Sequence, residues 1–504
     1  MLSVDAVRDR FQLLLPDQCH ALVDGGVVEG CGARREHFYP ATGEFLTTLV
    51  GSDAGVVDRA VTTARSAFDN GAWRNLDVAG RNVVLRRIAA RMRAEAGALA
   101  AIQTLETGVP HAHAVSQHVM RAAENFEFFA DVAATQAGQV FGQTGQYLSL
   151  SVREPVGVAA IFAPWNAPYI LTSMKLAAAL ATGNSVIVKP SEFTPLSVLR
   201  LIQLCHEEGV PASVLNLVNG YGAETGRPLA EHPGVDAIGF VGGSETGKAI
   251  MTAAARRLAK VGLELGGKSA NIICDSADLY AAVDGALLAI FSGAGQQCLA
   301  GSRILVQRGV ATSFTDAFVA RARRIRLGDP FDPATEMGPL AHAAHGERVK
   351  AMVDAATADG ARLLTGGRVA AKVGPGFFEP TVLAVDDASL AICRDEVFGP
   401  VVTIQIFDTV DQAITLANDS KFGLAGYVWS NDLATVTRVA RGVRTGTMWV
   451  NTPLARDLRA PFGGYRESGI GRDGRDGSID LFTEEKTIMV PTGPLLLRRL
   501  GGED

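Results

Sequence analysis

Three polar side chains in this sequence carry functional groups that act together in covalent chemistry on a carbonyl. Cys298 lies in a Gly-Gln-Gln-Cys-Leu-Ala segment, Glu264 begins a Glu-Leu-Gly-Gly-Lys segment 34 positions upstream, and Asn166 lies in a Pro-Trp-Asn-Ala-Pro segment. A thiol can attack the carbonyl, a carboxylate can activate water, and a carboxamide can stabilise an oxyanion. Each alone is weak evidence, because most lone cysteines are small buried hydrophobic residues and most glutamates are solvated. The combination predicts an enzyme with a covalent intermediate.

Hydrophobic spacing predicts the elements that position these groups. Two series of short β-branched runs alternate with helices, which indicates parallel sheets with ligands at the carboxyl ends of the strands. The first series has strands Val156–Phe162, Ser185–Lys189, Val214–Val218 and Ala237–Val241, with helices Leu171–Ala181, Pro195–Glu208 and Glu245–Leu258. The second has strands Ala270–Cys274, Ser302–Gln307 and Val401–Phe407, with helices Leu279–Phe291, Thr312–Arg324 and Val410–Asn418. Helices Ala54–Phe68, Arg81–Glu106 and Ala114–Ala134 and the half-exposed strand Tyr147–Arg153 precede both series.

Length and composition limit the class of protein. With 504 residues, 47% of them hydrophobic and 20% charged, the chain is expected to be an ordinary globular protein of two or three domains. A net charge of −6 lacks the basic field of a nucleic-acid binder. Six cysteines without a CxxC pattern favour reduced thiols and a cytoplasmic location. We expect no metal, because no ligand cluster has suitable spacing. The uncharged stretch 155–174 contains three prolines, which favours a soluble core over a membrane span.

The Asn166, Glu264 and Cys298 segments, in this order, resemble the NAD(P)-dependent aldehyde dehydrogenase superfamily, and further matches extend over about residues 20 to 490. The resemblance implies that Cys298 attacks an aldehyde and that Asn166 and the Cys298 backbone N–H bind the oxyanion. Glu264 then activates the water that hydrolyses the thioester. Lys175 matches a lysine that the family keeps near this glutamate. The presence of Glu264 indicates hydrolysis to the free acid rather than transfer of the acyl group to coenzyme A.

The resemblance also implies the fold and its division. We expect an α/β protein with two Rossmann-like doubly wound lobes and a small β oligomerisation arm. Residues 1–132 and 156–267 are expected to form the NAD-binding domain, 268–467 the catalytic domain, 133–155 and 468–495 the arm, and 496–504 a C-terminal tail. The strand Tyr147–Arg153 and the segment Ile488–Pro491 resemble exposed pairing edges. A homodimer or homotetramer is therefore expected.

The predicted cofactor site lies at strand ends. Gly242 and Gly243 close a strand and open a helix, whose N-terminus can accept a pyrophosphate, although such a turn alone is more often structural. Glu192 follows a strand where an acidic residue binds ribose hydroxyls and disfavours a 2′-phosphate, so NAD is expected rather than NADP. By resemblance, Glu396 binds the nicotinamide ribose and Phe398 the ring. The full expected set is Trp165, Lys189, Ser191, Glu192, Phe240, Gly242, Gly243, Ser244, Leu265, Glu396 and Phe398.

The substrate is less clearly indicated. The loop 452–461 contains two arginines, Arg456 and Arg459, which either bind an anionic substrate or pair with Asp457 or an oligomer interface. Its Arg-Asp-Leu-Arg pattern resembles the branch that oxidises hydroxymuconic and aminomuconic semialdehydes, in which Arg121 and Arg459 grip the substrate carboxylate. Gln297 departs from that branch, which has Val or Arg before the nucleophile. The expected substrate contacts are Arg121, Tyr169, Met174, Gln297, Leu299, Arg459 and Phe462.

Three functions stay open from the sequence. The first is oxidation of a small carboxylate-bearing semialdehyde, and the second is a broad-specificity aliphatic or aromatic aldehyde dehydrogenase in which Arg121 and Arg459 are structural. The third is a catalytically silent structural protein that reuses the fold. Such a protein has no reason to keep Cys298, Glu264 and Asn166 together. Rates for carboxylated and uncharged aldehydes of equal length separate the first two functions.

Overall fold

The computed structural model of the chain describes residues 1–142, 145–495, 497–498 and 500–501. Its strands are β1 (Gln18–Cys19), β2 (Ala21–Val23), β3 (Gly26–Val28), β4 (Arg34–Phe38), β5 (Phe45–Val50), β6 (Val140–Phe141), β7 (Tyr147–Pro155), β8 (Val158–Phe162), β9 (Ser185–Lys189), β10 (Leu215–Leu217), β11 (Ala237–Val241), β12 (Lys260–Glu264), β13 (Ala270–Ile273), β14 (Arg303–Gln307), β15 (Arg362–Thr365), β16 (Thr381–Ala384), β17 (Val401–Phe407), β18 (Ala425–Trp429), β19 (Thr447–Val450), β20 (Gly469–Ile470) and β21 (Thr483–Pro491).

The α-helices connect these strands and cover the sheets. They are α1 (Val4–Phe11), α2 (Ala54–Asp69), α3 (Val78–Ala94), α4 (Ala96–Thr107), α5 (His111–His113), α6 (Met120–Ala134), α7 (Pro168–Ala181), α8 (Pro195–Glu207), α9 (Arg227–Glu231), α10 (Ser244–Ala255), α11 (Leu279–Phe291), α12 (Ala311–Ala322), α13 (Ala343–Ala358), α14 (Ala391–Arg394), α15 (Val410–Asn418), α16 (Leu433–Gly442) and α17 (Arg475–Phe482). Residues Ala114–Val119 and Gly222–Gly226 are π-helical. In the part of the chain that the structure describes, no helix combines the length and apolar character that a membrane crossing requires.

Two large sheets organise the chain. The first has the strand order β20-β12-β11-β8-β9-β10-β2-β3, and its five strands from β12 to β10 are parallel. The second has the order β15-β16-β17-β14-β13-β18-β19, and its six strands from β16 to β19 are parallel. Strands β8, β9 and β11 are buried along their whole length, as expected when helices cover both faces of a parallel sheet. These two series agree with the predicted α/β class.

The first sheet brings distant chemistry-bearing segments to one edge. Strands β12, β11, β8 and β9 are neighbours and parallel, so their carboxyl ends meet at the same edge. Glu264 is the last residue of β12, Gly242 follows β11, Asn166 follows β8, and Lys189 ends β9. Segments separated by up to about a hundred positions in sequence therefore converge because of strand order alone.

Several predicted boundaries are wrong for identifiable reasons. The single helix expected over 81–106 is two helices, α3 and α4. Glu95 stands between them outside helical geometry (φ −98°, ψ 15°), and its carboxylate pairs with Arg91 and Arg200. The helix expected over 114–134 begins with the π-helical turn Ala114–Val119. Strand β20, expected in the arm, pairs with β12 at the edge of the first sheet.

The predicted arm forms a separate antiparallel sheet in the order β21-β7-β6. Strand β21 pairs with β7 along its whole length, yet residues 484–491 of β21 are exposed. Ile488, Met489 and Val490 thus present apolar side chains to solvent on β21, whose outer edge pairs with no strand of the described residues. The expected tail, 496–504, falls partly outside the described residues.

Glu106 fixes the helix that follows the predicted ribose-binding loop. It is buried in α4, and its carboxylate accepts hydrogen bonds from Leu196 N (2.6 Å), Ser197 N (2.9 Å) and Ser197 Oγ at the start of α8. The loop that follows Lys189 carries Glu192 and ends where α8 begins, so Glu106 holds one end of this loop in place.

Replacing Glu106 with Leu should lower the free energy of unfolding by about 2–4 kcal/mol, because buried donors at the start of α8 lose their acceptors. Asp77→Ala is the control. Asp77 caps α3 at the surface through Gly80 N (2.7 Å), and its loss should cost about 1 kcal/mol. Urea unfolding of both variants measures the difference. A Glu106→Leu loss no larger than that of Asp77→Ala would show that Glu106 does not anchor α8.

Candidate active site

A cavity of about 1140 Å3 opens at the carboxyl edge of the first sheet, where the second sheet's loops meet it. Asn166, Glu264 and Cys298 all line it, so the structure brings together the three groups selected from the sequence. Its walls also include most of the expected cofactor set, namely Trp165, Lys189, Ser191, Glu192, Phe240, Gly242, Gly243, Leu265, Glu396 and Phe398. Ser244 does not line the cavity, because its hydroxyl donates to Glu467 O (3.0 Å).

Close backbone packing positions the thiol and the carboxamide. Asn166 Nδ2 donates to Gln296 O (2.9 Å), which ties the carboxamide to the segment that carries Cys298. Gly295 has φ +70°, and a Cβ there would lie 2.1 Å from Gly399 O. A Cβ on Gly267 would lie 2.4 Å from Cys298 O. The glycines on both sides of the thiol segment are therefore required for this approach.

The Cys298 side chain is partly exposed to the cavity, yet its environment disfavours a thiolate. Burial raises the pKa of Cys298 to about 12, and the negative charges of Glu396 and Glu264 add to the shift. The positive charge of Arg456 acts in the opposite direction. In the ligand-free protein the sulfur is consequently held as a thiol.

Glu264 is a buried ionisable group with an incomplete set of hydrogen bonds. It is 5% exposed, and within the described part of the chain its Oε2 has no hydrogen-bond partner. Burial raises the pKa of Glu264 well above its ordinary value, the neighbouring Asp473 raises it further, and Lys175 and Arg456 oppose the shift. A carboxyl whose pKa is raised in this way is suited to exchange protons with a nearby water.

A buried ion pair lies behind Glu264. Lys175 Nζ is 3.0 Å from Asp473 Oδ1 and 3.2 Å from Oδ2, and the two side chains are 1% and 3% exposed. This pair borders a second cavity of about 460 Å3 that Glu264 also lines. Asp473 was missed from the sequence, because it lies 298 positions from Lys175 and no local pattern links them.

The cavity has the features that a dinucleotide requires. Gly243 is the N-cap residue of α10, and no described side chain caps the first N–H groups of this helix. These N–H groups are therefore free to bind a pyrophosphate. Burial lowers the pKa of Lys189 to about 8, and its Nζ donates to Pro190 O (2.9 Å). Glu396 accepts from Gly267 N (2.9 Å), and burial raises the pKa of its carboxyl to about 7.

Aromatic side chains complete one wall of this cavity, and sequence reasoning predicted Trp165 and Phe398 among them but missed Phe193, His342 and His345. Phe398 has φ +58° and its ring lies 5.2 Å from the Trp165 ring. His345 Nε2 donates to Phe398 O (2.7 Å) and holds that backbone. His342 stacks on Phe193 with ring centroids 4.1 Å apart. No periodicity marks these residues as neighbours, because they come from different lobes.

The two arginines of the loop 452–461 have different environments, and the expectation for Arg459 is wrong in this structure. The Arg459 side chain is 77% exposed and pairs with Asp457 (2.6 Å), as the alternative interpretation of the loop proposed. Arg456 instead turns inward. Its Nη2 donates to Met174 Sδ (2.9 Å), and its guanidinium lies 4.7 Å from the centre of the Phe462 ring.

Arg121 lies within electrostatic range of Arg456. Burial lowers the pKa of Arg456, and the charge of Arg121 lowers it further. No described carboxylate lies within 4.0 Å of either guanidinium. The charges of Asp473 and Glu264 favour the charged form of Arg456 from beyond that distance. Neither arginine has a carboxylate at ion-pair distance among the described residues, so an anionic ligand would stabilise both.

The other expected substrate contacts fall into two groups. Met174 and Phe462 support Arg456, as described above. Gln297 and Leu299 flank Cys298 in the sequence. A hydrogen bond from Nε2 to Ser292 O (2.8 Å) holds the Gln297 side chain, and one from Tyr427 Oη (2.8 Å) holds the Leu299 carbonyl. The expectation for Tyr169 is wrong: its side chain is fully buried in the core of the first lobe, because its position on α7 faces inward.

Comparison with known proteins covers nearly the whole chain. The model of a family described as "Aldehyde dehydrogenase family" matches residues 27–488. The betaine aldehyde dehydrogenase of Bacillus subtilis (strain 168) is 41% identical over 461 residues, 90% of this chain and 94% of that protein. The 5-carboxymethyl-2-hydroxymuconate semialdehyde dehydrogenase of Escherichia coli is 40% identical over 444 residues, 87% of this chain and 93% of that protein. The crystal structure of betaine aldehyde dehydrogenase from Staphylococcus aureus in complex with NAD+ has a TM-score of 0.94 and 38% identity, and the match covers 99% of each chain.

The protonated state of Cys298 predicts how its alkylation depends on pH. The test uses a Cys31→Ser background, which removes the exposed cysteine. The rate at which iodoacetamide modifies ligand-free Cys298 should rise about tenfold for each unit of increasing pH, because only the thiolate reacts. No plateau should appear between pH 7 and 10, since the thiol pKa lies above that range. Glu396→Gln should raise the rate at pH 8.5 by about three- to tenfold, because removing a neighbouring negative charge lowers the thiol pKa. Glu347→Gln, at an exposed position, should not change it. A plateau below pH 9 would contradict this description of the thiol.

Proposed function

Because this chain belongs to the aldehyde dehydrogenase family, we propose that it oxidises an aldehyde to the carboxylic acid through Cys298, with NAD as hydride acceptor. The convergence of Cys298, Asn166 and Glu264 in one cavity is the observation that carries the proposal. A nucleophile, an oxyanion donor and a proton acceptor in one site are what acyl chemistry through a thioester requires.

The residues of this chain are assigned as follows. The Cys298 sulfur attacks the aldehyde carbon, and its proton leaves as the thiohemiacetal forms. Asn166 uses one N–H to hold Gln296 O (2.9 Å), so its second N–H can donate to the oxyanion, together with the Cys298 backbone N–H. Glu264, in its ionised form, later takes a proton from the water that attacks the thioester. That water releases the acid and restores the thiol.

NAD, when bound, accepts the hydride that leaves the substrate carbon. The uncapped N-terminus of α10 would hold its pyrophosphate, and Lys189 and Glu192 its adenosine ribose. Glu396 and Phe398 would hold the nicotinamide end. The carboxylate of Glu192 on the cavity wall supports NAD rather than NADP, because a 2′-phosphate would be repelled there.

We propose that the aldehyde carries a carboxylate, as in semialdehydes of the hydroxymuconic type. Arg121 and Arg456 support this substrate class, because a substrate carboxylate would supply the ion-pair contact that no described carboxylate makes within 4.0 Å of either guanidinium. Betaine aldehyde, a quaternary ammonium cation, would be repelled by the same pair. The two arginines therefore favour a substrate like the one named for the muconate semialdehyde relative over the one named for the betaine aldehyde relatives, although the identities are similar.

The assembly and location belong to the same proposal. The exposed edge strand β21, with Ile488, Met489 and Val490 on it, supports a homodimer or homotetramer in which a second copy covers this sheet. The six free thiols support a cytoplasmic location, because thiols are kept reduced there. We propose a division into an NAD-binding part (1–132 and 156–267), a catalytic part (268–467) and an arm whose paired strands lie within 133–155 and 483–495, since β20, expected in the arm, belongs to the first sheet.

The substrate class predicts a measurable preference. NADH formation with 6-oxohexanoate should show a higher kcat/KM than with hexanal, a neutral aldehyde of equal length, and betaine aldehyde should be the poorest substrate. Arg456→Met should lower the ratio of kcat/KM for 6-oxohexanoate over hexanal by about 10- to 150-fold, since a charge-assisted contact contributes about 1.5–3 kcal/mol.

Arg459→Met is the matched control, because Arg459 lies in the same loop but pairs with Asp457 at the surface. It should change the ratio by less than about twofold. Equal ratios in wild type and Arg456→Met would reject the carboxylate-binding role and leave the broad-specificity aldehyde dehydrogenase as the function.

A further inference from the structure

The helix that carries Arg121 does not begin as a regular α-helix. Residues Ala114–Val119 form a π-helical turn, and α6 continues from Met120. A π-helical turn holds one residue more than an α-helical turn, so side chains after it are rotated by about 100° relative to an uninterrupted α-helix. Such turns are rare and recur at functional sites. Arg121 is the second residue after this turn, so its direction depends on it.

The contacts of α6 show where that direction leads. Arg121 and Asn125 are four positions apart and share one face of the helix. Asn125 Nδ2 donates to Ile170 O (3.1 Å) and Ser173 Oγ (2.9 Å) on α7. The next residue of α7, Met174, accepts from Arg456. The π-helical turn therefore directs Arg121 toward Arg456, whereas an uninterrupted helix would present a neighbouring position instead.

A buried hydrogen bond holds the inner side of the turn. His118 is 9% exposed, and its Nδ1 accepts from the carboxamide Nε2 of Gln103, which is fully buried in α4. The His118 ring also packs edge-to-face on His113, with centroids 5.3 Å apart. Burial lowers the pKa of His118 to about 3, so its ring is neutral and adds no third cation beside Arg121. An α-helical register would move His118 away from Gln103 and leave buried polar atoms without partners.

We propose that Gln103 and His118 are positioning residues for substrate specificity: they hold the π-helical turn that aims Arg121 at the substrate carboxylate. This inference rests on the proposed function, because the direction of Arg121 matters only for an anionic substrate. In this proposal the preference for acidic aldehydes depends on a contact between α4 and the π-helical turn. Gln103 and His118 make this contact and do not touch the substrate themselves.

His118→Phe tests the proposal, because it keeps the ring and removes the hydrogen bond. The ratio of kcat/KM for 6-oxohexanoate over hexanal should fall about 5- to 20-fold, through a higher KM for the acid with little change in kcat. In an Arg121→Met background the same substitution should lower the ratio no further, since both changes act through one contact. His206→Phe is the control. It removes a histidine of α8 that bonds to Leu215 O (2.9 Å) and not to the turn, and it should lower Tm without changing the ratio.

The outcomes separate this inference from the proposed function. If Arg121→Met leaves the ratio unchanged, the carboxylate-binding pair fails and this inference fails with it. If Arg121→Met lowers the ratio but His118→Phe does not, only the positioning role is overturned. Deleting Ser116, an exposed residue of the turn, removes the extra residue and should lower the ratio as His118→Phe does. A deletion variant that unfolds cooperatively and keeps the wild-type ratio would overturn the role of the π-helical turn.

Discussion

Burial of charge at the carboxyl edge of the first sheet is the constraint on which the site depends. Glu264, Lys175 and Asp473 are all at most 5% exposed, and Lys175 is bonded to both oxygens of Asp473. Removing one member of such a pair typically costs about 3–5 kcal/mol, because a charge is left unpaired. The ion pair joins α7 to the segment before α17, and Asp473 also pairs through its backbone with Phe462. The position of the Glu264 carboxylate and that of the loop 452–461 are therefore coupled.

The same burial sets the resting chemistry. Desolvation and nearby carboxylates raise the pKa values of both Cys298 and Glu264, while Arg456 opposes both shifts. A thiol that stays protonated is protected from alkylation and oxidation until ligands change its surroundings. Arg456 thus has two electrostatic consequences. It favours the ionised forms of Cys298 and Glu264, and, beside Arg121, it favours an anionic ligand.

Local sequence determined much of the fold but little of the side-chain geometry. Strand Ser185–Lys189 and helix Leu279–Phe291 have the predicted bounds, because β-branched runs and amphipathic spacing are local signals. Cys298, Glu264 and Asn166 could be selected as candidates from their residue types and the segments around them, and they line one cavity. The Lys175–Asp473 pair could not, because it depends on strand order. The outward direction of Arg459 and the inward direction of Arg456 could not be predicted, because side-chain direction in an irregular loop has no period. The π-helical turn before Arg121 likewise leaves no mark that spacing rules detect.

Intact-protein and peptide mass spectrometry of a Glu264→Gln variant, mixed with hexanal and NAD, tests the assigned chemistry most directly. If Cys298 forms a thioester that Glu264 must hydrolyse, one hexanoyl group should accumulate per chain on the peptide that contains Cys298. Wild type should show no adduct at steady state, and neither should a Cys298→Ser, Glu264→Gln double variant. Absence of the adduct while the Glu264→Gln variant still turns over at the wild-type rate would contradict the roles assigned to both residues.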